Sequence, residues 1–343
     1  MTTRSADMPE PFHLKPLVLR GVRFDPPLFL APMANLTHSA LRRLMADFGG
    51  YGAVFTEMLS AKWILNEDFQ NSPWLKRRPQ EGKVVYQLLV TDTEKLPEII
   101  ARLSELQPDG VDLNCACGAP TILQQHGGAA LFEDVGRMAA VVRILRRCFP
   151  GPLTVKIRLG RRSADWRNRL MERIRVLEGG GVDALILHPR FLEDKFRRLA
   201  RHELYGDIAA ATRLPLIANG DIAGIDFVNA RAAQFAGVAG FMVGRRAIAQ
   251  PWLFGRWHNP DLAVDYKETA LRLCGYLAED FNPDTALRRL KVWTPYFACN
   301  YVYGHTLYKS VQSAPDWDCA VNRLLAFIDA DPERLDPITV DGL

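Results

Sequence analysis

Leu153-Thr154-Val155-Lys156-Ile157-Arg158-Leu159-Gly160 alternates like a β-strand, yet one face of it ends in Lys156 and Arg158. Two cations on the inner face of an ordinary core strand would be expensive, because a buried charge needs a partner. At a strand end that opens onto a ligand they make sense, and they suit a ligand with negative charge. The preceding run, Val111-Asp112-Leu113-Asn114, also ends in a polar group and is followed by two thiols, Cys115 and Cys117. Apolar runs of this kind recur at 28–34, 53–58, 84–90, 184–188, 214–219 and 240–244, with amphipathic helix-length segments between most of them. Eight such units predict a (β/α)8 TIM barrel, a fold of about 250 residues whose site lies on the loops at the C-terminal ends of the strands. The alternative, an open doubly wound sheet, would carry a glycine-rich turn after its first strand. Here Pro32-Met33-Ala34-Asn35 follows the first run, and no G-x-G-x-x-G joins a strand to a helix.

The barrel makes residues at or just past the strand ends the functional candidates: Met33, Glu57, Gln87, Asn114 with Cys117, Lys156 with Arg158, His188 with Arg190, Asn219 with Asp221, and Gly244 with Arg245. They are polar more often than packing requires. Past Trp257 strand-like alternation stops, and helical patterns at 266–279, 285–303 and 319–328 follow, separated by Asn282-Pro283 and Ala314-Pro315. The expected organisation is a barrel over 1–258 and a small C-terminal helical domain over 259–343.

The 343 residues, 48% hydrophobic and 24% charged, are those of an ordinary globular protein. No apolar stretch approaches the roughly 18 residues of a membrane span, and Met1 to Lys15 lacks a signal-peptide core, so a cytoplasmic enzyme without membrane contact is expected. The six cysteines (115, 117, 148, 274, 299 and 319) contain no C-x-x-C pair, which argues against a metal site or a disulfide framework.

A net charge of +4 says little about nucleic acid; its distribution says more. Arg158, Arg161, Arg162, Arg167, Arg169, Arg173 and Arg175 crowd the segment after the fifth run, and Arg190, Lys195, Arg197, Arg198 and Arg201 the segment after the sixth. A solvated helix face paired to Asp165, Glu172, Glu193 and Asp194 is the ordinary explanation. Position at the barrel mouth favours a phosphate-backbone footprint instead. In the tail, Arg288, Arg289 and Lys291 interleave with Trp293, Tyr296, Phe297, Tyr301 and Tyr303, a mix suited to bases and phosphates. Leu287, Leu290, Trp293, Phe297 and Tyr301 equally form one buried stripe at helical spacing, which leaves the basic residues as the better RNA candidates.

Taken together, Leu30-Ala31-Pro32-Met33-Ala34, Phe55-Thr56-Glu57-Met58, Asp112-Leu113-Asn114 with Cys117, Val155-Lys156-Ile157-Arg158-Leu159-Gly160, Leu187-His188-Pro189-Arg190, Ile217-Ala218-Asn219-Gly220-Asp221-Ile222, Val243-Gly244-Arg245 and Pro251-Trp252-Leu253-Phe254 resemble, in order and spacing, the motif series of the tRNA-dihydrouridine synthases. The resemblance covers 28–254 well and the tail only in kind. It implies an FMN-dependent barrel that reduces uridine to 5,6-dihydrouridine in tRNA, with NADPH as electron donor.

By resemblance, Lys156 stabilises the reduced flavin, Gln87 hydrogen-bonds the ring edge and Pro32-Met33 contacts the ring through its backbone. Backbone N–H groups of Asn219-Gly220 and Gly244-Arg245 approach the flavin phosphate, with Asp221 in the same cofactor set and His188 bonding phosphate or ribityl. Hydride passes from flavin N5 to uracil C6. A thiol ordinarily titrates near pH 8.5, so it is protonated at neutral pH, and Cys117 is the natural donor of the proton to C5. Asn114 offers both donor and acceptor to a uracil amide edge. The target base must be flipped into the mouth, while Arg158, Arg161, Arg162, Arg190, Lys195, Arg197 and Arg198, with Arg288, Arg289 and Lys291, hold the RNA.

One stretch departs from the family pattern. The catalytic Cys usually lies between Gly and Pro and precedes a glycine-rich stretch with Lys or Arg. Here the neighbours are Ala116 and Gly118 and the stretch is Thr121-Ile122-Leu123-Gln124-Gln125-His126-Gly127-Gly128. Cys115 is a second thiol, expected to pack as a small apolar residue. An FMN barrel reductase of a small pyrimidine or enone, or an RNA-binding homologue with impaired chemistry, remain alternatives. The uridine position, the choice of NADPH over NADH and the oligomeric state are not written in motifs; a monomer is the default.

Overall fold

In the computed structural model, which describes residues 14–194 and 198–340, eight parallel strands close into a barrel. In chain order they are Leu28–Leu30, Ala53–Phe55, Val84–Leu89, Gly110–Cys115, Leu153–Arg158, Ala184–His188, Leu216–Asn219 and Val238–Val243. Each pairs with its sequence neighbour, and the eighth pairs with the first (Met242 opposite Phe29), which closes the ring. The eight expected strands are therefore present. A two-residue strand, Leu59–Ser60, extends the ladder beyond Val84–Leu89 on the C-terminal side.

Alternation sorts the side chains into two cores. Phe29, Ala53, Phe55, Val85, Ala184, Ile186, Ile217 and Met242 point inward and fill the lower barrel. An antiparallel hairpin, Leu17–Leu19 and Val22–Phe24, adds Leu17, Leu19 and Phe24 to that core. Sequence patterning missed this hairpin because its strands are only three residues long. Its turn, Arg20-Gly21, has positive φ at both residues (50° and 80°), the type I′ geometry that suits two-residue hairpins. The outward-facing side chains make a second core with the surrounding helices, and that core runs on without a break into the tail through Trp252, Tyr266, Trp293 and Phe297.

The tail holds four helices, Tyr266–Asp280, Pro283–Ala298, Gly304–Gln312 and Trp317–Asp329, where three patterns were expected. Asn282 caps the second by accepting from the Thr285 amide, with Pro283 in its first turn. The expected 285–303 helix stops at Ala298 because the chain folds back on itself. A Cβ on Gly304 would sit 1.8 Å from the Ala298 carbonyl oxygen, so only glycine lets the next helix start there. Leu290, Trp293, Phe297 and Tyr301 are buried as one stripe, so these aromatics serve the core and do not face RNA.

Candidate active site

Above the apolar layer the barrel interior turns polar. Gln87, Asp112, Asn114, Thr154, Lys156, His188 and Asn219 occupy inward positions toward the C-terminal ends of strands three to seven, and all are buried. Register places Asn114 beside Lys156 and Arg158 beside His188. Burial first, then the charge of Arg158, lowers the Lys156 ammonium to about 8, while Asp112 and Cys117 pull it back up. Burial raises the Asp112 carboxyl to about 6 against opposing hydrogen bonds from Thr154 and Gln87 and the charge of Lys156.

The amides are joined in one chain. Gln87 Nε2 donates to Asp112 Oδ2 (2.7 Å), Asn114 Nδ2 donates to Gln87 Oε1 (2.8 Å), and Asn114 Oδ1 accepts from the Ala116 and Cys117 amides (3.1 and 2.9 Å). The acceptor that Asn114 was expected to offer a substrate is thus already used, leaving it an N–H to donate. Cys117 lies just beyond the strand and is half-buried, and its carbonyl accepts from Ala129. Cys115 faces outward into the helix layer, where burial raises its thiol far above the usual range. The departure at Gly118 has a physical counterpart: Leu192 Cδ1 lies 2.3 Å from where a Cβ of residue 118 would be.

The opposite side of the mouth is cationic. Arg190, 2% exposed, donates to Asp221 Oδ2 (2.5 Å) and lies 2.6 Å from His188 Nε2, while Arg245 donates to Asp221 Oδ1 (3.0 Å). A guanidinium can only donate, so His188 Nε2 accepts and the imidazole proton sits on Nδ1. Burial, then the charges of Lys156, Arg158, Arg190 and Arg245, hold His188 well below its usual range and therefore neutral. Burial alone would raise Asp221, but the Arg190 and Ala200 hydrogen bonds and the two arginine charges outweigh it and hold the carboxyl below the usual range. Gly220 (φ 116°) leaves no room for a side chain, since a Cβ would sit 2.7 Å from His188 Cδ2. Asn219 Nδ2 donates to the Met242 carbonyl, and Gly244 lies against Met33, bringing the Pro32-Met33 loop to the same mouth.

The arginines expected at RNA divide by partner. Arg190 is buried under the mouth and is not presented to solvent. Arg162 pairs with Asp194 (2.5 Å) over the Phe191 ring, and Arg198 lies 3.7 Å from the same carboxylate. Arg158 is half-buried beside His188, and Arg161 is exposed. In the tail Arg288 is exposed, whereas Lys291 donates to the Ala314 carbonyl and so ties the helices together. Arg289 reaches the barrel and donates to Asn35 Oδ1. Lys195 and Arg197 lie outside the described residues.

Sequence reasoning gave no role to Asp112 or Thr154, named Asp194 only as one of several ion-pair partners of the arginines, a pairing that Arg162, Arg198 and Arg201 make, and left Glu57 as a strand-end candidate only. Glu57 Oε2 accepts from the Asn35 amide (2.6 Å), while Oε1 is buried with no protein partner. Burial raises that carboxyl, opposed by the Asn35 bond and by Arg289 and Arg42. Among the described residues no cluster of His, Cys, Asp and Glu has the arrangement of a metal site, and no helix is long and apolar enough to cross a membrane.

Residues 29–291 match the family model described as Dihydrouridine synthase (Dus). A human protein, "tRNA-dihydrouridine(47) synthase [NAD(P)(+)]-like", is 31% identical over 313 residues, covering 85% of this chain and 45% of that protein. The chain thus spans about half the length of that relative. A Neisseria meningitidis serogroup B protein, "tRNA-dihydrouridine(16) synthase", is 27% identical over 323 residues, covering 88% of this chain and 94% of that one. Among solved structures, the old yellow enzyme from Trypanosoma cruzi superposes with a TM-score of 0.53 at 9% identity, over 74% of this chain and 93% of that one, a likeness of fold.

Proposed function

The chain belongs to the dihydrouridine synthase family, and from that premise we propose that it reduces uridine to 5,6-dihydrouridine in tRNA with a bound FMN and electrons from NADPH. What carries the reading is that the motif residues Gln87, Asn114, Cys117, Lys156 and His188, distant in sequence, meet at one open end of the barrel. The residues also fit the cofactor. Arg190 and Arg245 supply charge for a phosphate, Gly220 lets the His188 imidazole pack against its backbone beside them, and the buried Lys156 lies on the strand next to that of His188.

When bound, the flavin supplies the hydride that reduces the 5,6 double bond of the uracil. Cys117 holds the proton that C5 receives, and its backbone is fixed by Asn114. The remaining Nδ2 hydrogen of Asn114 donates to a base carbonyl in this reading. Lys156 keeps its charge below about pH 8 and offsets negative charge at the site. Arg158, Arg161, Arg162, Arg198 and Arg288 offer the RNA backbone its cations, and Arg289 bridges the helical region to the Asn35 loop at the mouth. In this reading Arg190 serves the cofactor phosphate and not the RNA.

The test is anaerobic reoxidation of NADPH-reduced protein by unmodified tRNA, free uridine and uracil. Fast reoxidation by tRNA alone is expected; equal reoxidation by free uracil or uridine would favour a small-molecule reductase.

A further inference from the structure

We propose that Asp112 is a positioning residue, the buried terminal acceptor that completes the hydrogen-bond chain through Gln87 and Asn114 by which the loop carrying Cys117 is held. This rests on the reading of Cys117 as proton donor. The argument runs from both ends of the chain. Backbone N–H groups only donate, so Asn114 must turn Oδ1 toward Ala116 and Cys117. Its Nδ2 then faces Gln87 and requires Oε1 there, which turns Gln87 Nε2 onto Asp112. An ionised carboxylate only accepts, and its second oxygen accepts a hydrogen bond from the Thr154 hydroxyl at 2.6 Å. Donor direction is consistent at every link, and reversing one amide would set acceptor against acceptor in a buried site. Asp112 is fully buried, so water is no substitute partner. Its charge also favours the charged form of Lys156, which lies opposite Asn114 in the strand register.

A polarity swap tests this. In Asn114→Asp the new carboxylate still accepts from the two amides but meets an acceptor at Gln87, and a turned Gln87 would instead meet Asp112. Protonation of either carboxyl relieves the conflict. In Asp112→Asn/Asn114→Asp every link is satisfied again with the Gln87 amide reversed. Asp112→Asn alone keeps the direction, because its amide oxygen serves Gln87 and its NH2 serves Thr154. The readout is hydrogen exchange of the Ala116 and Cys117 amides in the purified full-length protein, expressed as protection relative to the unfolded peptide, which requires no turnover. At pH 8 Asn114→Asp is expected to lose protection about tenfold or more, to regain it near pH 5.5, and to regain it at both pH values when Asp112→Asn is added. The flavin dissociation constant stays raised about tenfold in the double variant, since Gln87 presents the opposite group. If the double variant is no better protected than Asn114→Asp, or fails to fold alongside it, the proposal is overturned. A correct exchange pattern in a protein that makes no dihydrouridine would overturn the functional reading alone.

Discussion

Replacing Asp221 by Asn separates a group that poises the phosphate arginines from one that binds the cofactor itself. Asp221 accepts from Arg190 (2.5 Å) and the Ala200 amide (2.8 Å) through one oxygen and from Arg245 (3.0 Å) through the other. Asn has the same shape and tolerates the positive φ of 53°, so the backbone adds no penalty. Its NH2, however, must face one set of donors, and a 2% exposed arginine loses its counter-charge. Breaking a buried pair from one side costs about 3–5 kcal/mol, and with Asp221 13% and Arg245 11% exposed the lower end, about 3 kcal/mol, applies. The sign with pH follows from the depressed carboxyl: this stability is present above the unfolded value near 4 and lost as pH falls through the lower folded value, so the two proteins converge in acid. Urea unfolding of flavin-free protein measures the loss. Repeating it with FMN or inorganic phosphate is expected to stabilise the variant more than the wild type, because the anion replaces the missing carboxylate. An unchanged flavin-free stability would refute the pairing argument. A variant that gains nothing from FMN would mean that Asp221 is itself a cofactor ligand, as the sequence reading had it.

Lys156 loses its charge as pH rises through about 8, so the rate of flavin reduction by NADPH should fall along that limb, and Lys156→Met should be slow at all pH values with the limb absent; stopped-flow absorbance decides. Arg289→Ala removes the link from the helical region to Asn35 and should raise the KM for tRNA about tenfold in initial-rate assays; an unchanged KM would take Arg289 out of the RNA site. Arg42, in the helix Ser39–Phe48, and Glu81 are fully buried partners, and Arg42→Met should cost about 3–5 kcal/mol in urea, with little dependence on salt.

The barrel was legible because strand alternation and the polar residues at strand ends repeat eight times, and those strand-end residues are the ones the fold gathers. What stayed hidden depends on partners far apart in sequence. Arg158, Arg162 and Arg190 look alike in the chain, yet Arg190 is withdrawn by Asp221, 31 residues on, and Arg162 is held by Asp194. Asp112 passed as part of a motif, although its place two residues before Asn114 puts it on the same inward face, a signal that strand period alone supplies. The third tail helix, Gly304–Gln312, was missed because its start depends on the close approach of Gly304 to Ala298, which periodicity does not record.

The most direct test of the account is nucleoside mass spectrometry of unmodified tRNA after incubation with the FMN-loaded protein and NADPH, beside Cys117→Ala and Cys115→Ala. Dihydrouridine that forms with wild type and Cys115→Ala and falls sharply only with Cys117→Ala is the predicted result. RNA left unchanged while NADPH reduces the flavin would contradict it.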